Sequence, residues 1–267
     1  MSQSTVVQDT TNFSETEVVQ CPPTDLWSDE PPLESDFHRD QISLLINILR
    51  ELWGDRQDVY VSGNLTIYYN EQQIKSRDFR GPDFFVVLGT ENKLRKSWVV
   101  WGEDGRYPNL IVEILSSSTK KVDRGLKKEL YQNTFRTPDY FLFDPDHADL
   151  EGYHLLDGRY ELIQVNERGH LWSQQLELYL GVHEGVLRFF DTDGQLVPTP
   201  AELVSQGRQR VEQERQRAEQ ERQRAEQEQQ RAEQERQRAE QERQRAEQAE
   251  AELERLKAQL QQEAEEP

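Results

Sequence analysis

Glu113 is the only charged residue in Leu110-Ile111-Val112-Glu113-Ile114-Leu115, a run that otherwise reads as a strand buried on both faces. A carboxylate taken out of water is costly unless a cation, a donor or a proton goes with it. Two explanations are open at this point: a salt bridge to a lysine or arginine, or a metal ion. A second carboxylate, Asp83, stands at the mouth of the apolar segment Phe84 to Leu88, in Gly81-Pro82-Asp83. Pro-Asp also occurs at Pro138-Asp139 and Pro145-Asp146, and any one of the three reads by itself as a capped strand entrance or a turn. Only the first precedes a charge in a buried strand at a spacing that permits neighbouring strands. Two oxygen-rich side chains at adjacent strand ends suit a hard cation, Mg²⁺ above all. Such an ion polarises a phosphodiester, offsets developing charge and helps to generate hydroxide from water. It would also reverse, locally, the field that a phosphate meets on an acidic protein.

Asp123, Lys127 and Tyr131 lie four residues apart, on one stripe of an expected helix. A lysine near a metal can position the attacking water and offset charge on the phosphate. The spacing alone fits equally an ordinary Asp123–Lys127 pair on a solvated face. Arg77, Arg80, Lys120, Lys121 and Arg124 are the cations near enough in sequence to meet phosphates, or simply to be solvated.

These residues must be carried by ordered elements. From Ser35 and Asp36, possible caps, Ile42, Leu45, Ile46, Leu49, Leu52 and Trp53 recur at helical spacing, predicting an amphipathic helix that ends near Gly54. Val59 to Tyr69, around a Gly63-Asn64 turn, then Phe84 to Leu88 and Leu110 to Leu115 read as strands. Gly89 to Asn109, with Trp98 and Trp101, reads as a connection. A second helix is expected from about Asp123 to Phe135 with Leu126 and Leu130 inward, followed by a strand Tyr140 to Phe143. Leu150 to Leu156, Tyr160 to Val165, Leu176 to Leu180 and Val186 to Phe190 suggest a meander. Helix, strands, helix, strands gives a mixed sheet with helices, α/β or α+β.

The flanks differ from this centre. Residues 1–32 are polar and proline-rich and are expected to be disordered; residues 33–200 form the domain. Residues 201–267 carry a seven-residue repeat that sets Val211, Ala218, Ala225, Ala232, Ala239, Ala246, Leu253 and Leu260 in one column. The second column a dimeric coiled coil needs is Glu214, Glu221, Glu228, Glu235 and Glu242, apolar only at Ala249 and Leu256. A charged single helix or a weak coiled coil follows, a spacer or an oligomer handle. Net charge is −19, which opposes general polyanion binding. A single cysteine, Cys21, excludes an intramolecular disulfide and fits a cytoplasmic setting. The five scattered histidines exclude a Cys/His zinc site. No apolar run reaches the roughly 20 residues of a membrane span, and the N-terminus lacks signal-peptide order.

Pro82-Asp83-Phe84-Phe85-Val86-Val87, then Ile111-Val112-Glu113-Ile114-Leu115-Ser116 with Ser118-Thr119, then Asp123, Lys127 and Tyr131, then Tyr140-Phe141-Leu142-Phe143-Asp144-Pro145 form an ordered pattern. It resembles the Uma-type restriction endonucleases of the PD-(D/E)xK nuclease superfamily, over about residues 33–190. The superfamily lysine usually stands two residues after the Glu, where this chain has Leu115; Uma-type members share the apolar residue, and Lys127 is the matching lysine. The resemblance implies a restriction-endonuclease-like mixed sheet flanked by helices and a Mg²⁺-dependent endonuclease acting on DNA, with Mn²⁺ as a substitute. Asp83, Glu113 and the Ile114 carbonyl would hold the metal, and Lys127 would assist the water. In related nucleases a carboxylate from the first helix can approach the metal, which makes Glu34 a candidate, with His38 one turn later; both read equally as helix-start residues. A homodimer is common among nucleases that cut both strands, though no interface is legible here. The alternative is an inactive nuclease fold acting as a scaffold, with a protein partner on the helical tail. A third reading is an unrelated structural protein in which Glu113 is merely salt-bridged.

Overall fold

The computed structural model describes residues 22–30, 32–70 and 81–265, with side chains to residue 257. Cys21, Arg77, Arg80 and most of the expected disordered segment lie outside the described residues, and the Leu260 side chain outside the described side chains. Contacts divide the chain into two units, 1–200 and 201–267.

The first unit is a mixed α+β domain. Helix α1 (Asp36–Leu52) starts at Ser35, whose hydroxyl accepts the His38 N–H as an N-cap. Strands β1 (Val59–Gly63), β2 (Ile67–Tyr68), β3 (Phe84–Leu88), β4 (Trp98–Val99) and β5 (Leu110–Ile114) follow, then a helical run, α2, over residues 120–135. Strands β6 (Asp139–Asp144), β7 (Asp149–Leu156), β8 (Arg159–Leu162), β9 (Leu171–Ser173), β10 (Leu178–His183) and β11 (Val186–Phe190) complete the unit. The main sheet has the order β1-β3-β5-β6-β7-β8; β5 and β6 are its parallel pair, bridged by α2, and the other neighbours are antiparallel. Strands β9 to β11 form a separate antiparallel sheet, and β2 pairs with β4 in parallel.

Strand period sorts the core. Phe84, Val86, Leu110, Val112, Ile114, Phe141 and Phe143 point to one side, where Ile42, Leu45 and Leu49 of α1 and Leu180, Leu187 and Phe189 cover them. Phe85, Val87, Ile111, Leu115, Tyr140 and Leu142 point to the other, against Trp98, Tyr131 and Phe135. Glu113 shares the parity of Ile111 and Leu115, and Asp83 that of Phe85, so both carboxylates belong to the α2 side.

The expected helices and core strands are present, with four corrections. Trp98 is fully buried in β4, so Gly89 to Asn109 is more than a connection. The meander splits, because β7 and β8 extend the main sheet while β9 to β11 pair among themselves. In α2 the first half of the buried stripe is charged: Leu126 is 72% exposed and Asp123 only 1%, while Leu130 packs, partly buried, against the core. The reason is geometric. An α-helical i,i+4 stripe drifts by about 40° per step, and wide π turns at Asp123–Lys127 and Tyr131–Phe135 offset the drift. Asp123, Lys127, Tyr131 and Phe135 therefore stay on the inner face.

Residues 22–30 are the fourth correction. They lack the apolar content for a core, yet hydrogen bonds hold them in place. Ser28 N–H donates to the Lys96 carbonyl at 3.0 Å. The Thr66 N–H donates to Ser28 Oγ at 3.0 Å and the Tyr68 hydroxyl to the Trp27 carbonyl at 2.9 Å. Glu30 Oε1 accepts the Thr66 hydroxyl at 2.7 Å and the Gly81 N–H at 2.5 Å.

The second unit is one helix, Pro200–Glu265, of 66 residues. Its ion pairs are local, such as Arg222 with Glu219 at 3.2 Å and Arg243 with Glu247 at 3.0 Å. Val211, Leu253 and Leu256 of the heptad positions are exposed. Among the described residues no helix is long and apolar enough to cross a membrane.

Candidate functional site

Asp83 and Glu113 face each other across β3 and β5, since the register Phe84↔Val112 continues to that pair. The Asp83 N–H donates to Glu113 Oε2 at 3.3 Å, and Asp83 Oδ2 accepts the Ile114 N–H at 2.7 Å. Helix α2 completes the cluster. Lys127 Nζ lies 2.9 Å from Glu113 Oε2 and 3.1 Å from Asp123 Oδ1, and the Tyr131 hydroxyl donates to Glu113 Oε1 at 2.8 Å. The Tyr140 hydroxyl donates to the Asp123 carbonyl at 2.9 Å, tying α2 to β6. Thus the lysine at the 127 position points into the carboxylate pair.

The burial is severe. Glu113 is 0% exposed and Asp123 1%. Three carboxylates, Asp83, Glu113 and Asp123, share the single ammonium of Lys127. Burial, reinforced by Asp83 and Asp123 against the opposing pull of Lys127, pushes the Glu113 carboxyl up to about 8. Burial also raises Asp83 above the usual carboxylate range. Burial alone would lower the Lys127 ammonium, yet Glu113, Asp123 and Asp83 hold it above the ordinary lysine range. The Tyr131 and Tyr140 hydroxyls are driven well upward, first by burial and then by Glu113, so they remain donors.

A small pocket of about 50 Å³ opens beside the cluster, bordered by Asp83, Ile114, Asp123 and Lys127 on one side and Glu30, Glu34 and His38 on the other. Glu34 accepts the Ser118 hydroxyl at 2.5 Å, and His38 Nε2 lies 3.1 Å from the Ile114 carbonyl oxygen. Both therefore stand at the site. The flanking cations are committed elsewhere: Lys120 to Asp144 at 2.6 Å, and Arg124 to Glu151. Asp139, of the second Pro-Asp, is structural; it pairs with His154 Nδ1 at 2.7 Å within the main sheet and accepts from Ser173 Oγ at 2.5 Å, tying that sheet to the β9–β11 sheet.

The fit to a cation rests on the oxygen set. Among the described residues no group of three His, Cys, Asp or Glu side chains converges as a complete metal cage. Mg²⁺ does not require one, because it is usually held by one or two carboxylates while keeping several waters. Asp83, Glu113 and the Ile114 carbonyl meet that lower requirement. Asp123 Oδ1, buried and at ion-pair distance from Lys127 without hydrogen-bond geometry, makes no hydrogen bond among the described residues. An orphaned carboxylate oxygen amid excess negative charge is the condition that a cation relieves.

Sequence reasoning did not find Tyr131 as a hydrogen-bond partner of Glu113 or Glu30 as a wall of the pocket. For Tyr131 the signal was present in the four-residue stripe; for Glu30 there was none.

An uncharacterized protein of Synechocystis sp. (slr1290) is 29% identical over 114 residues, 42% of this chain and 57% of that protein. The chain thus spans a little over half the length of that relative. A solved structure titled as "a putative nuclease belonging to DUF820" from Anabaena variabilis aligns with a TM-score of 0.36 and 17% identity, over 50% of this chain and 70% of that one. A family profile described as "Uma2: Putative restriction endonuclease" matches residues 25–188, a stretch that holds α1, β3, β5, α2 and every clustered side chain described above. With more than half of its length matched, the chain belongs to the Uma2 family.

Proposed function

We propose that the chain is a Mg²⁺-dependent endonuclease that hydrolyses phosphodiester bonds of DNA, with Mn²⁺ as a substitute ion. The observation that carries this reading is the buried Asp83–Glu113 pair on adjacent strands, sharing Lys127 with Asp123. Asp83, Glu113 and the Ile114 carbonyl are the oxygens that would hold the ion. A bound divalent cation supplies charge to the phosphate and a more acidic water.

The chain's own groups do the rest. Tyr131 and the Asp83 N–H fix the Glu113 carboxylate, so its oxygens are oriented before any ligand arrives. Lys127 keeps its proton and places positive charge where the phosphate gains negative charge. In the reaction the water oxygen bonds to phosphorus and one ester P–O bond breaks. The water gives up one proton, and the electron pair of the broken bond leaves with the sugar oxygen, which takes up one.

The competing reading is a scaffold that keeps the fold without the activity, with the charged helix as its binding arm. Calorimetric titration of Mg²⁺ into the full chain, wild type beside Asp83→Asn, separates the two. Binding that disappears in the variant supports the nuclease reading. No binding in either protein, with DNA present, transfers the weight to the scaffold.

A further inference from the structure

Extending the antiparallel register of β3 and β5 by two residues sets Pro82 opposite Ile114. Proline has no N–H, so the Ile114 carbonyl loses the donor that a continued ladder offers. The Ile114 N–H is taken instead by the Asp83 side chain. The carbonyl finds its donor on another element: the ring of His38, in the first turn of α1, brings Nε2 to 3.1 Å.

This contact selects one of the two tautomers of the neutral ring. A carbonyl oxygen only accepts, so Nε2 carries the proton. Nδ1 is then the acceptor and takes the Ser35 hydroxyl proton at 2.9 Å, while Ser35 Oγ itself accepts the His38 N–H at 3.3 Å. The ring is 7% exposed, with Phe37 edge-on to it at 6.5 Å. One turn further, Gln41 pairs with both backbone groups of Leu187 at 2.9 and 3.0 Å, so α1 cannot slide along the sheet. His38 is thus held from three directions against a single oxygen.

We propose that His38 is a positioning residue: its Nε2–H tautomer occupies one lone pair of the Ile114 carbonyl and aims the other at the cation site beside Asp83. Pro82 removes the sheet donor and His38 replaces it, so the carbonyl neither turns back into the ladder nor rotates away from the pocket it borders. The inference rests on the metal reading above. Partners of this kind, one shell out from a ligand, typically change metal affinity about 10–100-fold when removed.

The test uses the full chain in wild-type, His38→Ala and His38→Gln forms, and Gln returns a donor near the Nε2 position. Mn²⁺ affinity is measured by calorimetry and the melting temperature is recorded alongside. The ring nitrogens of metal-free wild type are assigned by nitrogen-15 NMR. The proposal expects at least about a tenfold loss of Mn²⁺ affinity in His38→Ala, recovery of most of it in His38→Gln, and the Nε2–H tautomer in the spectrum. Should His38→Ala fail to fold, Ser35→Ala, which frees the tautomer but leaves the ring, is expected to weaken Mn²⁺ binding by a smaller factor. Equal Mn²⁺ binding in wild type and His38→Ala, or an Nδ1–H ring, overturns the role of His38 and leaves the metal reading standing. Wild type that binds no Mn²⁺ while keeping the Nε2–H ring overturns the metal reading, and the role of His38 with it.

Discussion

Replacing Glu113 by Gln separates a buried salt bridge from an overcharged carboxylate cluster. Gln keeps the shape of the side chain and an acceptor for the Tyr131 hydroxyl, but it carries no charge. The Glu113 carboxyl moves from an ordinary value of 4.5 to about 8, driven mainly by burial. Its folded form therefore binds a proton more tightly than its unfolded form. The stability this contributes is fully present below pH 4.5, falls as pH rises, and is lost by about pH 8. At pH 7 the loss spans about 2.5 pH units from 4.5, or roughly 3 kcal/mol at about 1.4 kcal/mol per unit. Glu113→Gln avoids that loss. In chelator, the variant is expected to melt at the wild-type temperature near pH 4 and about 6–12 °C higher at pH 7, taking about 2–4 °C per kcal/mol. Tryptophan fluorescence is the suitable probe, because Trp98 lies in the core and the C-terminal helix contains no tryptophan. A variant less stable than wild type by a constant margin from pH 5 to 8 would refute the reasoning and identify Glu113 as an ionised salt-bridge partner.

Four further outcomes follow from the structure. Lys127→Met leaves Glu113, Asp123 and Asp83 without their ammonium; a stability loss of about 3–5 kcal/mol is expected at pH 8, shrinking toward pH 5 as the carboxylates protonate, and denaturant unfolding at the two pH values checks it. Tyr131→Phe removes the donor to Glu113 Oε1 and is expected to cost about 1–3 kcal/mol by the same measurement. Mg²⁺ is expected to raise the melting temperature of wild type but not of Asp83→Asn, by an increment that grows from pH 6 to 8 as the proton on Glu113 becomes easier to displace. A peptide of residues 208–265 is expected to stay monomeric and to lose helicity in molar salt, because its ion pairs each contribute only about 0.2–0.5 kcal/mol; sedimentation and circular dichroism read both.

Much of the site was legible because two periodicities point the same way. The parity of β3 and β5 sends Asp83 and Glu113 to one face of the sheet, and the four-residue spacing of Asp123, Lys127 and Tyr131 sends them to one face of α2. What could not be read was which face of α2 is inward. Leu126 and Leu130 are the apolar choice, because hydrophobic periodicity assigns the core to apolar residues; Leu130 does pack against the core, whereas Leu126 is exposed. The cluster reverses that rule because its charges partner each other, and the π turns that keep the stripe aligned leave no mark in composition. Residues 22–30 were missed for a related reason. Their anchor is a set of hydrogen bonds to Thr66, Tyr68 and Lys96, contacts across tens of residues for which a polar, proline-rich segment gives no pattern. The contact of His38 with Ile114 is equally long-range, although Pro82 announced that the ladder had to end beside it.

In the proposed function Asp83, Glu113 and Lys127 form a metal-dependent hydrolytic site. The most direct measurement is cleavage of supercoiled plasmid by the full chain in Mg²⁺ or Mn²⁺, with Glu113→Gln, folded and equally pure, run beside it. Nicked or linear product is expected from wild type, none after chelation, and none from the variant. Equal cleavage by Glu113→Gln, or intact plasmid with wild type in both ions, would contradict it.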